Sequence, residues 1–421
     1  MRLFLYDIIV HCLLPFTLFK LIYRGLKNPG YLNHWNERFA IYAQEEQKIW
    51  ATRTTIWLHC VSVGETKSIY LLLNHLINKY PKINFLISHG TPTGRDVILP
   101  NSSRIHRCYL PYDTSFAIKR FINFYKPKLG LIIEKELWPN LINQCNLNKL
   151  PVILINGRLS NKSLKKYLLF KGIFNNLLVQ LNSIYVQNEH DRLNFKKITQ
   201  AKINTMGNLK FDVRPPSNIY AQIKELKSQL KIKKQYVIVA GSTRNGEEKI
   251  ILNFILKLNL KNFVLIIVPR HPERFDEVAK IFKSQNILYS RRSEYQDIRK
   301  SPQFIIGDSM GELYQYYGLA NLAIIGGSIL DYGGQNLIEP LSMNVPTAIG
   351  PSIYNFKNIT EAAEKEKAII RFKKINDLRN IINDLSISKM YANKLIKNTK
   401  TFMLQSRGGT EEVIKIINRY F

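Results

Sequence analysis

Carboxylates and cations stand directly after several apolar, strand-like runs, where an α/β sheet delivers its chemistry. Glu65 follows WLHCVSV and Gly64 and leads into the helical stretch TKSIYLLLNHLINKY. At such a strand-to-helix junction a carboxylate can face a cleft and take a proton from a substrate hydroxyl. The same place suits a carboxylate held only by the helix dipole, and residue type alone leaves both roles open. Glu134 and Glu136 stand two apart in LIIEKELWPN. Glu134 continues the strand period towards the mouth, Glu136 suits the first turn of the next helix, and one of the two is a solvated or capping residue.

Positive charge comes from Lys210 in GNLKFD and Arg270 in VPRHPERF. Arg270 ends the apolar run FVLIIVP, where a guanidinium suits a phosphate or carboxylate. The richest segment, 307–351, places Gly326, Gly327, Gly333 and Gly334 after LAII, and NLIEPLSM begins a helix behind them. Backbone of this kind offers free N–H groups to a phosphate, and Glu339 at the helix start could bind the two hydroxyls of a ribose. A tight turn with a dipole-stabilised glutamate is the plainer alternative.

Several chemistries lack their signatures. Gly241-Ser-Thr-Arg-Asn-Gly246 has P-loop spacing, but Glu247 and Glu248 stand where Lys and Ser/Thr are required, and carboxylates there repel phosphates. No G-x-G-x-x-G follows a strand candidate, and no two aspartates stand two apart. The eight histidines form neither H-E-x-x-H nor a Cys/His cluster. Ser62, in CVSVG, lacks the leading glycine of a nucleophile elbow. Chemistry without metal, hydride transfer or a serine nucleophile is the expectation.

The elements that must position these residues read as two sets of α/β units. Strand candidates are 55–63, 83–88, 107–111, 129–134, 151–156 and 183–188, then 236–242, 263–269, 304–308, 322–328 and 346–351. Between the sets, FDVRPPSN (211–218) breaks the pattern with paired prolines, and a lysine-dotted helix, IYAQIKELKSQLKIKK, follows. Two doubly wound domains facing a cleft are expected: 25–212, and 213–421 with its last helix placed to pack back on the first. Residues 1–24 precede them. Their run LFLYDIIVHCLLPFTLFKLIY is long enough to cross a bilayer, but Asp7, His11 and Lys20 interrupt it. No small-residue cleavage site follows; Arg24, Lys27, Tyr31 and Trp35 do, favouring an uncleaved anchor over a buried core helix, with an in-plane helix also open.

The chain has 421 residues, with 61 Lys+Arg against 31 Asp+Glu, a net charge of +30. Such an excess suits an anionic partner, whether an acidic membrane surface, a phosphorylated substrate or nucleic acid, and a lysine-rich composition without functional meaning is the plain alternative. Nucleic-acid binding lacks a reader motif or a basic patch interleaved with aromatics. The four cysteines, Cys12, Cys60, Cys108 and Cys145, lie far apart, so a disulfide framework or structural zinc is not expected.

Read together, VSVGE (61–65), TPTG (91–94), YLPYD (109–113), ELWPN (136–140), RLS (158–160), QNEHD (187–191), GNLKFD (207–212), STRNGEE (242–248), VPRHPERF (268–275), GDSMGELYQYYG (307–318), GGSILDYGGQNLIEP (326–340) and GPSIYNF (350–356) resemble one family. It is the 3-deoxy-D-manno-octulosonic acid (Kdo) transferases of lipopolysaccharide assembly. The pieces keep family order over nearly the full chain, and that order is more specific than any single piece. The resemblance implies a GT-B glycosyltransferase with two Rossmann-like domains, on the cytoplasmic face of the bacterial inner membrane. It would transfer Kdo from CMP-Kdo to the tetra-acylated lipid A precursor (lipid IVA), inverting and without metal or cofactor. It implies that Glu65 is the general base and that Glu134 and Lys210 stabilise the transition state. Pro269, Arg270, Met310, Gly311, Glu312, Asn336, Leu337, Ile338 and Glu339 fall on its CMP-binding segments. Departures are Lys135 where Thr is common, Arg244 or Asn245 where His is common, and Gly333-Gly334-Gln335-Asn336-Leu337 for the usual G-G-H-N-P. Gln335 keeps only one hydrogen-bonding role of a histidine and cannot become charged. A GT-B transferase using a different sugar nucleotide on a membrane lipid acceptor is the second reading.

Overall fold

The computed structural model describes residues 2–298 and 300–421. Met1, the first residue of the expected anchor, lies outside the described residues. The chain forms two compact units: residues up to Asp212 together with Ser406–Phe421, and Val213–Gln405.

In the first unit, β1 (Thr55–His59), β2 (Asn84–His89), β3 (Ile105–Tyr109), β4 (Leu129–Ile133), β5 (Val152–Gly157), β6 (Ser183–Val186) and β7 (Ile203–Thr205) form a parallel sheet ordered β3-β2-β1-β4-β5-β6-β7. In β1, β4 and β5 every residue is buried, as a parallel sheet covered by helices on both faces requires. Successive side chains alternate between two cores. Trp57 packs with Leu86, Ile132 and Leu154 on one face, while Ile56 and Leu58 pack with Phe85, Ile87, Leu131 and Ile133 on the other. Gly130 makes room for Trp57: a Cβ there would lie 2.8 Å from the indole.

The second unit repeats the plan. Here β8 (Tyr236–Thr243), β9 (Phe263–Pro269), β10 (Ser290–Arg291), β11 (Phe304–Ile306), β12 (Leu322–Ile325), β13 (Thr347–Ile349) and β14 (Ile370–Arg371) are parallel in the order β10-β11-β9-β8-β12-β13-β14. Strand order reverses between β1 and β4 in one sheet and between β8 and β12 in the other. At such switch points the loops beyond the carboxyl ends part and leave room for a ligand.

The elements differ from the sequence expectation mainly at their ends. The run 55–63 is a strand only to His59, because Ser62 turns out to cap the helix Val63–Ser68, its Oγ accepting from the Glu65 amide. The helix expected after it is broken at Ile69 and resumes as Tyr70–Lys79. Strands β7, β10 and β14 are edge strands of two or three residues, too short to show a period. The lysine-dotted helix covers Ile219–Gln229. The last helix, Gly409–Ile417, buries Val413, Ile416 and Ile417 with Leu72, Leu73 and Leu76 of the first unit. Residues 213–421 therefore do not all belong to one unit: the return begins at Ser406. Asp212 pins it, accepting from the Gly408 and Thr410 amides at 2.8 and 2.5 Å.

At the other terminus lies the helix Arg2–Lys27. Its segment Phe4–Lys27, whose most apolar 18-residue window has mean hydropathy 1.7, is long and apolar enough to cross a membrane by length and composition.

Candidate active site

Glu65 stands one turn beyond the end of β1, and Glu134 directly beyond β4, the neighbouring strand at the switch point. Both carboxylate oxygens of Glu65 are held locally. The Val61 amide donates to Oε2 at 2.7 Å, and the Ser62 hydroxyl donates to Oε1 at 2.9 Å. These bonds favour the charged form, yet Glu65 is only 7% exposed. Burial, followed by the nearby Glu134 carboxylate, pushes its pKa up to about 7. A carboxylate poised there can remove a hydroxyl proton near neutrality.

Glu134 does not continue the strand. Its φ is +65°, in the left-handed region that a residue with a Cβ enters at a cost, while its amide donates to the Ile155 carbonyl at 3.0 Å. That turn brings its Oε1 to 3.1 Å from Lys210 Nζ. The pair is half-buried, so Lys210 is oriented by a carboxylate and in turn neutralises one of the two charges around Glu65. Lys210 lies in the 3₁₀ turn Leu209–Asp212. Asn156 Oδ1 accepts from the Leu209 amide at 3.2 Å, and Asn208 Oδ1 accepts from the Lys210 amide at 3.0 Å. Gln187 joins them, accepting from Asn208 Nδ2 at 3.0 Å and donating to the Asn156 carbonyl at 3.2 Å. Sequence reasoning missed Asn156, Asn208 and Gln187 as the residues that place Lys210. The only local signal was an asparagine or glutamine at or just past successive strand ends. Glu136, expected in the first turn of the next helix, precedes that helix (Pro139–Leu147) and lies in the connecting turn. Burial raises its carboxyl too.

In the second unit the glycine loop after β12 is organised by a residue the sequence reading used only as a negative. The carboxylate of Glu247 accepts backbone N–H groups from Arg244 at 2.9 Å, Gly327 at 2.6 Å, Ile329 at 2.9 Å and Leu330 at 3.3 Å. It is fully buried, and it fills the anion nest that the expectation reserved for a phosphate. The remaining turn closes on itself, with the Gly334 and Gln335 amides donating to the Gly327 and Gly326 carbonyls and the Gly333 amide to Ser352 Oγ. The expectation that these glycines present free N–H groups is therefore wrong. Gly326 has a different reason to be glycine: a Cβ would come within 2.3 Å of the Ser242 carbonyl, where β8 and β12 end side by side.

Anion-binding capacity falls instead to cations at the carboxyl ends of β8 and β9. Pro269 ends β9 and is buried; Arg270 is exposed, its amide donating to the Thr243 carbonyl at 3.0 Å. Arg244 Nη1 donates to His271 Nε2 at 2.8 Å, and its guanidinium lies 5.0 Å from the centre of the Tyr332 ring. Burial raises the Glu339 carboxyl, while Asn336, donating to it at 3.0 Å, and the positive charge of Arg270 oppose that rise. Arg270, Asn336 and Glu339 thus form one group. Leu337 and Ile338 have buried side chains, and the Ile338 amide is taken by Asn336 Oδ1 at 3.1 Å. The helix they introduce has only five residues, Ile338–Ser342. Met310 is exposed beside Gly311, whose φ is +81°. Glu312 is gripped by the Arg292 fork at 3.0 and 2.9 Å, a partner the sequence did not reveal.

Two parallel sheets of this kind, with a carboxylate at one switch point and arginines at the other, define a GT-B-type glycosyltransferase fold. The same fold is seen in a UDP-GlcNAc 2-epimerase from Neisseria meningitidis, with a TM-score of 0.53 and 12% identity over 87% of this chain and 100% of that one. A glycosyltransferase from Rickettsia africae gives a TM-score of 0.51 at 13% identity over 88% and 99%. Within that class the family is specific. Residues 33–213 match the family described as 3-deoxy-D-manno-octulosonic-acid transferase (kdotransferase). The chain is 32% identical to the 3-deoxy-D-manno-octulosonic acid transferase of Haemophilus influenzae over 94% of its own length and 93% of the relative's. It is 29% identical to that of Rickettsia bellii over 99% of both chains. The chain belongs to the 3-deoxy-D-manno-octulosonic acid transferase family.

Proposed function

We propose that this protein transfers Kdo from CMP-Kdo to the tetra-acylated lipid A precursor in lipopolysaccharide biosynthesis, with inversion and without a metal ion. The observation that carries the reading is Glu65, a buried carboxylate with its pKa near neutrality at the switch point of the first sheet, beside the Glu134–Lys210 pair. CMP is a good leaving group, so the reaction needs a base for the attacking hydroxyl and cations for the charge on the departing phosphate. An acceptor sugar hydroxyl attacks the anomeric carbon of Kdo and gives its proton to Glu65. The new carbon–oxygen bond forms as the bond to the phosphate oxygen breaks, and CMP leaves with the electron pair. One protein carboxylate at the attacking oxygen is enough for a single displacement, which inverts the anomeric centre. Glu134 holds Lys210, and Lys210 offsets negative charge near the base. Arg270 and Arg244 of the second unit suit the anionic donor, and Glu339 suits its ribose hydroxyls. Among the described residues no group of three or more His, Cys, Asp or Glu is placed to hold a metal ion.

The lipid acceptor places the enzyme at the cytoplasmic face of the bacterial inner membrane. The apolar N-terminal helix and the net charge of +30 fit that surface. Near anionic lipids each Lys or Arg contributes about 1 kcal/mol of attraction. Mass spectrometry of the product from CMP-Kdo and the tetra-acylated acceptor tests the assignment, the expected product being heavier by whole Kdo units. Transfer from another sugar nucleotide and none from CMP-Kdo overturns it. Activity should persist in EDTA; loss with chelator and recovery with Mg²⁺ overturns the metal-free mechanism.

A further inference from the structure

The helix Arg2–Lys27 is fastened to the first unit along its length. In its first turns Tyr6 donates to Asp113 Oδ2 at 2.9 Å, while Asp7 Oδ1 accepts from the Ser115 amide at 2.9 Å and from Asn140 Nδ2 at 2.7 Å. Asp113 is also held by the amides of Asn140 and Leu141 at 3.1 and 2.8 Å, so the helix closes a polar network built on the turn after β3 and the helix after β4. Further on, Val10, Leu14 and Thr17 are partly covered and Leu21 and Gly25 are buried, spaced three and four apart. One face therefore follows the domain to the last turn, where Gly25 lies against the Leu32 side chain.

The opposite face is left uncovered by the described residues. Phe4, Leu5, Phe16, Phe19 and Leu26 are exposed away from the packed face, Phe16 and Phe19 by 73% and 74%. Lys20, Arg24 and Lys27 are exposed as well, Lys27 4.9 Å from the Tyr23 ring and Arg24 5.6 Å from the Tyr31 ring. An apolar stripe with basic residues and aromatic partners beside it matches an anionic lipid surface. A second copy of the chain would set +30 against +30.

Crossing the bilayer takes about 20 residues of helix in hydrocarbon. With Tyr6 and Asp7 tied down, that orientation drags Asp113, Ser115 and Asn140 in with them, away from water and against the cost of desolvating polar groups. Lying flat has no such cost. We infer that this helix lies in the plane of an anionic membrane surface, apolar stripe inward, tied to the first unit through Tyr6 and Asp7, and does not cross the bilayer. The inference rests on the membrane location proposed above and deepens it.

Cys12 is the exposed cysteine among Cys12, Cys60, Cys108 and Cys145, so bimane can be placed there in the full chain. Phe4→Cys and Phe19→Cys, each with Cys12→Ser, place it at the ends of the same stripe. The labelled proteins are bound to phosphatidylethanolamine–phosphatidylglycerol vesicles with quenchers at known depths. The expected result is that positions 4, 12 and 19 all lie shallow, with no steady change of depth along the helix. A spanning helix instead separates 4 from 12 by about 12 Å and sets 12 near the bilayer centre. That gradient overturns the flat orientation and leaves membrane association standing. Failure to bind vesicles overturns both, as does a lipid-free dimer that hides the stripe. Asp7→Ala should raise amide exchange at Ser115 by about tenfold with vesicle binding retained; unchanged exchange overturns the tie.

Discussion

In the proposed mechanism Glu65 combines a local role with a chemical one, and the two respond differently to substitution. Glu65→Gln keeps the shape and one acceptor but cannot take a proton, so turnover should fall by about 10²–10⁴-fold in a product assay. In the unaltered enzyme, kcat/KM should rise with pH through about 7, because the base works only when deprotonated. Stability runs the other way. The folded pKa lies above the ordinary 4.5, so the buried acid's stabilisation is complete below 4.5 and is lost as pH rises through about 7. At pH 8 the Gln variant should therefore be more stable, by roughly 2–3 kcal/mol, read from urea melts. A merely capping glutamate predicts the reverse, a less stable variant with near-normal turnover. Arg270→Ala should leave the fold alone and weaken CMP binding by about ten- to a hundredfold in calorimetry, the worth of a charge-assisted hydrogen bond. Unchanged affinity would move the phosphate away from β9.

At the scale of elements, the glycine loop depends on a side chain from the next strand over. Glu247 leaves the end of β8 and gathers N–H groups from the β12 loop, a carboxylate matched to donors only. Glu247→Gln turns an NH₂ group against those donors, a buried mismatch costing about 2–4 kcal/mol. The expected outcome is a lower melting temperature for the second unit and weaker CMP binding, with the first unit's melting unchanged. A variant that binds CMP normally would show that the loop holds its shape without this clamp. The strands themselves were legible from their apolar runs, and FVLIIVP coincides with β9. Their ends were not, since caps such as Ser62 decide where a chain leaves the sheet.

For the whole molecule, the first unit is completed by the end of the chain. Val413, Ile416 and Ile417 are buried in its core, each worth about 1.5–3 kcal/mol, which together approaches the stability of an entire domain. Truncation after Gln405 should therefore unfold or deeply destabilise the first unit and leave the second able to bind CMP. Two calorimetric transitions collapsing to one would report this. An intact first transition would show that the returning helix is peripheral.

The chain's own order of residues determined the two sets of parallel strands, the linker near 211–218, the apolar N-terminal run and the family. Each of these is written in local period, turn chemistry or short segments, and none needs distant residues to meet. The positions of Glu65, Glu134 and Arg270 beyond strand ends, and of Lys210 just before the linker, were legible for the same reason. Their partners were not. Lys210 reaches Glu134 across 76 positions, Gly327 reaches Glu247 across 80, and Asn140 reaches Asp7 across 133. Which carboxylate pairs, which fills a backbone nest and which ties down the N-terminal helix follow from strand order and crossover connections, and those exist only once the sheets have assembled. Glu134 shows the limit most plainly: alternation aimed it along the strand, but its left-handed φ, held by the β4–β5 ladder, turned it to Lys210.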